Sequence, residues 1–115
     1  MTRLVVLGDL LLDRDVDGTA DRLAPDAPAP VVDERSRRAR PGGAGLAAAL
    51  AARDGRDVTL VTALADDEGG RELRALLEGC GVRVVDLGLP GTTVEKIRIR
   101  ADDRPLVRLD RGEGG

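Results

Sequence analysis

Five residues carry the groups best suited to holding a small polar ligand: Asp13, Gly42, Gly43, Lys96 and Arg98. Asp13 ends the segment Gly8-Asp9-Leu10-Leu11-Leu12-Asp13, which follows the apolar run Leu4-Val5-Val6-Leu7. Gly42 and Gly43 sit in Pro41-Gly42-Gly43-Ala44-Gly45, which opens an Ala-rich stretch. A carboxylate just past a buried strand, facing a glycine turn at a helix start, can grip the neighbouring hydroxyls of a sugar-like molecule. Open α/β sheets bind their ligands at that edge. Lys96 and Arg98 lie two apart, on one face of a candidate strand, and could meet a phosphate, Arg98 in bidentate fashion.

Each of these residues also has a plainer reading. Asp13 can equally be a turn residue that hydrogen-bonds the backbone after the first strand. The two glycines can be a flexible helix entry after Pro41 rather than a place where ligand approaches the backbone. Lys96 and Arg98 can be a solvated strand face. For Asp66-Asp67-Glu68 the attraction of a helix N-terminus for negative charge explains the cluster better than a metal does.

The elements that must position these groups follow from pattern. Residues 3–8 are near-continuously aliphatic, as in a parallel strand covered on both faces. Residues 9–41 lack a helical period and contain Pro25, Pro28, Pro30 and Pro41, which predicts short edge strands within a long excursion. Residues 43–53 read as a helix and 57–62 as a second strand. Residues 66–78 form an amphipathic helix with Leu73, Leu76 and Leu77 on one face, ended by Gly79 or Gly81. Residues 82–87 are a third strand. Beyond Pro90-Gly91, alternating polarity over 92–100 and 106–109 around a turn at Asp102-Asp103 predicts an antiparallel hairpin that joins the excursion in a separate small sheet. The first part fits a parallel α/β layer with right-handed crossovers.

Composition bounds the rest. At 115 residues the chain is one domain at most, or part of one. Without Phe, Tyr or Trp the core must be aliphatic, which predicts marginal stability or burial against a further surface. A net charge of −3, with no aromatic for base stacking, gives no nucleic-acid footprint. The absence of His, with Cys80 as the single cysteine, excludes an intrachain disulfide, a Cys/His zinc site and a His-based triad. Cys80 reads as a small buried apolar residue near a helix end. No stretch is apolar enough to span a bilayer and no signal-peptide core is visible, so the expectation is a cytoplasmic chain. Neither a Walker A loop nor a dinucleotide fingerprint occurs.

Several segments together resemble the ribokinase-like (PfkB) carbohydrate kinases: Gly8-Asp9, Asp13-Arg14, Gly18, Arg22, the spaced Pro25, Pro28, Pro30-Val31-Val32, and Pro41-Gly42-Gly43-Ala44. Thr93-Val94-Glu95-Lys96-Ile97-Arg98 and Leu106-Val107-Arg108-Leu109-Asp110 continue the likeness, which is greatest to the D-glycero-β-D-manno-heptose 7-phosphate kinase domain. The resemblance implies the N-terminal part of a ribokinase-like fold. Its parallel α/β layer would come from residues 1–13 and 41–90, and a small antiparallel β-sheet lid, often a dimer interface, from about 14–40 and 91–111. It implies transfer of the ATP γ-phosphoryl group to a sugar hydroxyl, with Mg²⁺. Asp13 would be the substrate-hydroxyl ligand and Gly42-Gly43 the sugar-contacting loop.

The sequence departs from that family at three points. Leu46 stands where the family has a sugar-binding Asn, and Asp15-Val16-Asp17 replace the lid aromatics. The family's catalytic base and its Gly-x-Gly-Asp loop fall beyond residue 115, so no catalytic residue is assigned here and the chain alone is expected to be inactive. Two functions from different classes therefore stand. One is the sugar-binding portion of a kinase for a phosphorylated sugar. The other is a non-catalytic remnant that dimerises through its β lid. A generic Rossmann-like nucleotide binder is a weaker third, for want of a phosphate loop.

Overall fold

In the computed structural model, which describes residues 3–113, nine elements follow one another along the chain. They are β1 (Arg3–Leu7), β2 (Leu10–Leu23), β3 (Pro30–Gly43), α1 (Ala44–Arg53), β4 (Asp57–Thr62), α2 (Glu68–Gly79), β5 (Arg83–Asp86), β6 (Glu95–Ala101) and β7 (Arg104–Arg111). Two sheets result. A parallel three-stranded sheet has the order β1-β4-β5, and a four-stranded sheet has the order β3-β2-β6-β7.

The three-stranded sheet packs one face on the helices. Val58 and Leu60 of β4 are fully buried with Ala48 of α1 and Leu77 of α2, and Leu4, Val6 and Val84 flank them. The small side chains of α1 let it lie close: a Cβ on Gly45 would meet Leu10 at 2.7 Å and Pro41 at 2.9 Å. Leu10 also joins the second cluster of Leu12, Leu64 and Leu73, which bonds the two sheets into one core. The opposite face of the three-stranded sheet is bare. Val5 and Leu7 on β1 are 68% and 76% exposed, and Val85 and Leu87 continue the strip. Parallel sheets ordinarily have both faces covered.

The excursion between residues 9 and 41 differs from expectation. Instead of short edge strands it forms two 14-residue strands paired from Leu10↔Gly43 to Leu23↔Pro30, with register shifts near Gly18 and Thr19. Pro25 and Pro28 lie in the connecting turn, Pro30 is the first residue of β3, and Pro41 lies within β3, an edge strand of its sheet, the strand positions in which proline is tolerated. The predicted 92–109 hairpin forms as β6 and β7, and β6 pairs in parallel with β2 from Leu12↔Glu95 to Gly18↔Ala101. The four-stranded sheet is therefore two antiparallel hairpins joined by one parallel seam.

One face of this sheet seats Leu12 and Ile97 in the interior. It is tied to α2 by Arg14, whose Nε lies 2.7 Å from Glu95 and whose Nη1 lies 2.8 Å from Glu72. A second tie runs through Asp67. Its carboxylate caps α2 by accepting from the Gly70 N–H at 2.8 Å, and it also accepts from the Thr93 N–H at 2.8 Å and the Thr93 hydroxyl at 2.5 Å. Burial alone would raise the Asp67 carboxyl, but these hydrogen bonds from Thr93 and Gly70 hold it below the ordinary carboxylate range. Cys80 is near a helix end, as expected, but it is exposed rather than buried.

Candidate functional site

Asp13 lies inside β2, not in a turn, and this removes the backbone-capping reading. The strand alternation puts it on the face opposite Leu12, so its carboxylate meets neighbouring strands rather than the core. Its register partners are Arg40 on β3 and Lys96 on β6. The contact it makes is diagonal: Arg98 Nη1 donates to Asp13 Oδ1 at 2.9 Å. That hydrogen bond and the attraction of Asp13 raise the Arg98 guanidinium further, keeping it charged. The Asp13 side chain is 16% exposed, so it reaches solvent from a sheltered position.

Gly42 and Gly43 are not a loop. They end β3, and α1 begins at the next residue. Gly42 stands beside Asp13, and a Cβ there would collide with the Asp13 carboxylate and with Leu11. Gly43 turns the chain from strand to helix with φ +60°, a region that glycine enters freely. A Cβ at Gly43 would come within 2.7 Å of the Asp9 carbonyl oxygen, which accepts the Ala44 N–H at 3.0 Å. The glycine pair thus lets the start of α1 close onto the chain that leaves β1.

A cavity of about 430 Å³ opens where the two sheets meet, past the ends of β1 and β4. Gly43 and Lys96 line it, together with Asp9, Leu64, Leu89 and Thr93. Asp13, Gly42 and Arg98 do not line it but form the adjoining wall of the four-stranded sheet. The five expected residues therefore fall into two touching groups, linked by the register pair Asp13↔Lys96. Leu46 belongs to neither. It is 46% exposed and lines a separate groove with Pro41, Leu50 and Cys80.

Residue-by-residue reasoning missed the other charges on Asp13's face. Asp15 and Asp17 follow it on β2, Arg38 and Arg40 face them from β3, and Arg100 and Arg108 complete the far side. The signal was present as a period of two: acids at 13, 15 and 17, and bases at 96, 98 and 100.

Comparison with known proteins gives this arrangement its context. Residues 1–97 match the sequence profile of the pfkB family carbohydrate kinases. The chain belongs to the pfkB family. It is 61% identical over 113 residues to the bifunctional protein HldE of Streptomyces coelicolor, covering 98% of this chain and 24% of that protein. It thus spans about a quarter of the length of this curated relative. Among solved structures, a carbohydrate kinase from Agrobacterium tumefaciens superposes with a TM-score of 0.76 at 23% identity, covering 96% of this chain and 36% of that one. Arabidopsis thaliana ribokinase, complexed with ribose and ATP, superposes with a TM-score of 0.63 at 20% identity, covering 99% of this chain and 36% of that one. The pfkB chain described here therefore has the N-terminal part of a ribokinase-like fold, a parallel α/β layer plus a small β-sheet.

Proposed function

We propose that this chain is the sugar-binding portion of a pfkB carbohydrate kinase whose substrate is a phosphorylated sugar such as heptose 7-phosphate. The outer part of the four-stranded sheet, within residues 14–40 and 91–111, acts as its lid over a core of residues 1–13 and 41–90. The observation that carries this reading is the placement of Asp13: a sheltered carboxylate, oriented by the hydrogen bond from Arg98, beside a glycine whose missing Cβ leaves room for it. Asp13 accepts hydrogen bonds from two adjacent sugar hydroxyls. Gly42 and Gly43 let the sugar lie against the backbone, and Lys96 or Arg98 meets its phosphate.

The kinase reaction needs ATP and Mg²⁺. Among the described residues no group of three His, Cys, Asp or Glu side chains is placed to hold a metal. No glycine-rich phosphate loop is present either. The residues here do not fit these groups, so no catalytic step is routed through them, and the chemistry of this chain is binding and orientation of the sugar.

Calorimetric titration of the chain with heptose 7-phosphate tests the reading. Binding is expected for the parent chain and is expected to be lost in Asp13→Ala, and an Asp13→Ala chain that binds with unchanged affinity would refute the assignment. A second reading draws on the exposed Leu106, Val107 and Leu109 of the edge strand β7. In it, the chain is a non-catalytic module that dimerises through this sheet. Light scattering together with calorimetric titration of sugar and ATP separates the two: a dimer that takes up neither ligand supports the module.

A further inference from the structure

The lid face beyond Asp13 carries a second concavity, of about 710 Å³. Arg38, Arg40, Arg98, Arg100 and Arg108 line it, with Asp15 as its one acidic residue. The arginines are drawn from three strands, β3, β6 and β7, so the sheet itself gathers them. Four of the arginines pair with carboxylates through a terminal nitrogen: Arg40 Nη1 to Asp15 at 3.3 Å, Arg98 Nη1 to Asp13 at 2.9 Å, Arg100 Nη1 to Asp17 at 3.8 Å and Arg108 Nη2 to Asp110 at 2.8 Å. Arg100 Nη2 also donates to the Asp103 carbonyl at 3.4 Å. A guanidinium has five N–H donors, so these contacts leave donors on each arginine for a further acceptor. Arg38 has no carboxylate partner among the described residues. The arginines also outnumber the carboxylates when those at the rim are included.

We propose that this cleft is an anion site for a phosphate-class dianion, with Arg38 and Arg108 as its principal donors and Arg98 and Arg100 beside them. Planar guanidinium groups arriving from several strands suit a tetrahedral anion with several acceptor oxygens. Lys96 lines the sugar cavity instead and takes no part in the cleft. Arg98 joins the two regions, since it bonds Asp13 and lines the arginine cleft. Asp13 and Asp15 lie two residues apart on one strand, about 6.6–6.8 Å. That span matches a sugar ring with its exocyclic carbon. The anion can therefore be the phosphoryl group of the sugar held at Asp13, and this extension alone rests on the function proposed above. The other source is a separate phosphorylated ligand.

Titration of the chain with inorganic phosphate, followed by NMR at the arginine Nε–H signals, tests the site. Arg38 and Arg108 are expected to shift, and Arg38→Gln and Arg108→Gln are each expected to weaken binding by about tenfold. Arg83→Gln removes the same charge from the exposed end of β5 and is expected to leave binding within about twofold. Absence of shifts at Arg38 and Arg108, or an Arg83→Gln loss equal to that of Arg38→Gln, overturns the proposal. Heptose 7-phosphate then identifies the source. If it binds more tightly than inorganic phosphate and Asp13→Asn removes the surplus, the anion is the substrate's own. If the two bind alike and Asp13→Asn changes neither, the cleft serves a separate ligand and the Asp13 reading fails while the cleft stands.

Discussion

Replacing Arg14 with Met tests how the four-stranded sheet is held to the helical layer. Arg14 is 23% exposed, Glu95 15% and Glu72 35%, so the trio is sheltered without being dry. Burial alone would lower the Arg14 guanidinium, but hydrogen bonding to Glu95 and the charge of Glu72 raise it. Methionine keeps most of the packing volume and removes the charge. Glu72 and Glu95 then confront each other across a partly water-free gap. Breaking a fully buried pair costs about 3–5 kcal/mol and an exposed one about 0–1 kcal/mol, so this intermediate site should cost about 2 kcal/mol. With a urea dependence of about 1–3 kcal/mol per molar, the unfolding midpoint should fall by about 1 M. Adding Glu95→Gln to Arg14→Met should restore about half of the loss, because it removes the like-charge contact. A midpoint within about 0.2 M of the parent, or strict additivity of the two substitutions, would refute the reasoning.

Two further outcomes follow from the same geometry. Backbone hydrogen bonds from Leu64 and Gly88 lower the Asp86 carboxyl, and Asp67 is lowered as well. A carboxyl lowered in the folded state stabilises above its unfolded value near 4 and loses that contribution as pH falls through its folded value. Equilibrium unfolding in urea should therefore show stability declining on acidification below about pH 4, with a shallower decline in Asp67→Asn, and a parallel decline in both proteins would count against the Asp67 tie. The β6–β7 turn places Asp102 and Asp103 at φ +50° and +64°. A type I′ turn favours Asp-Gly there, so Asp103→Gly should stabilise by about 0.5–1 kcal/mol in the same assay, and destabilisation would show that the Asp103 side chain has a role of its own.

The layer built by continuous aliphatic runs and one amphipathic helix was readable in the chain. β1, β4 and β5 lie within about a residue of their expected ranges, because a strand covered on a face must be aliphatic and short. β2 and β3 were not readable as long strands. Asp13, Asp15 and Asp17 occupy the outer positions of β2 and Arg38 and Arg40 those of β3, so charge flattens the hydrophobic contrast on which pattern reasoning depends. Their stability comes from pairing with each other and with a strand some 80 residues on, which no local window contains. The same distance hides the site. Asp13 was picked out by its type and place, but its guanidinium partner is 85 residues away, and only the matched periods of two link them. Leu46 was read beside the sugar, whereas its helix turns it into another groove.

The bare strip of Val5, Leu7, Val85 and Leu87 has a thermodynamic consequence. Any molecule that settles on it only when the sheet is formed adds RT ln(1 + [L]/Kd) to the folding free energy, about 2.7 kcal/mol at a hundredfold excess over Kd. For a chain whose aliphatic core has no aromatic residue, that increment is a large share of the total. The melting temperature of these 115 residues is then a function of concentration and company rather than a constant of the sequence.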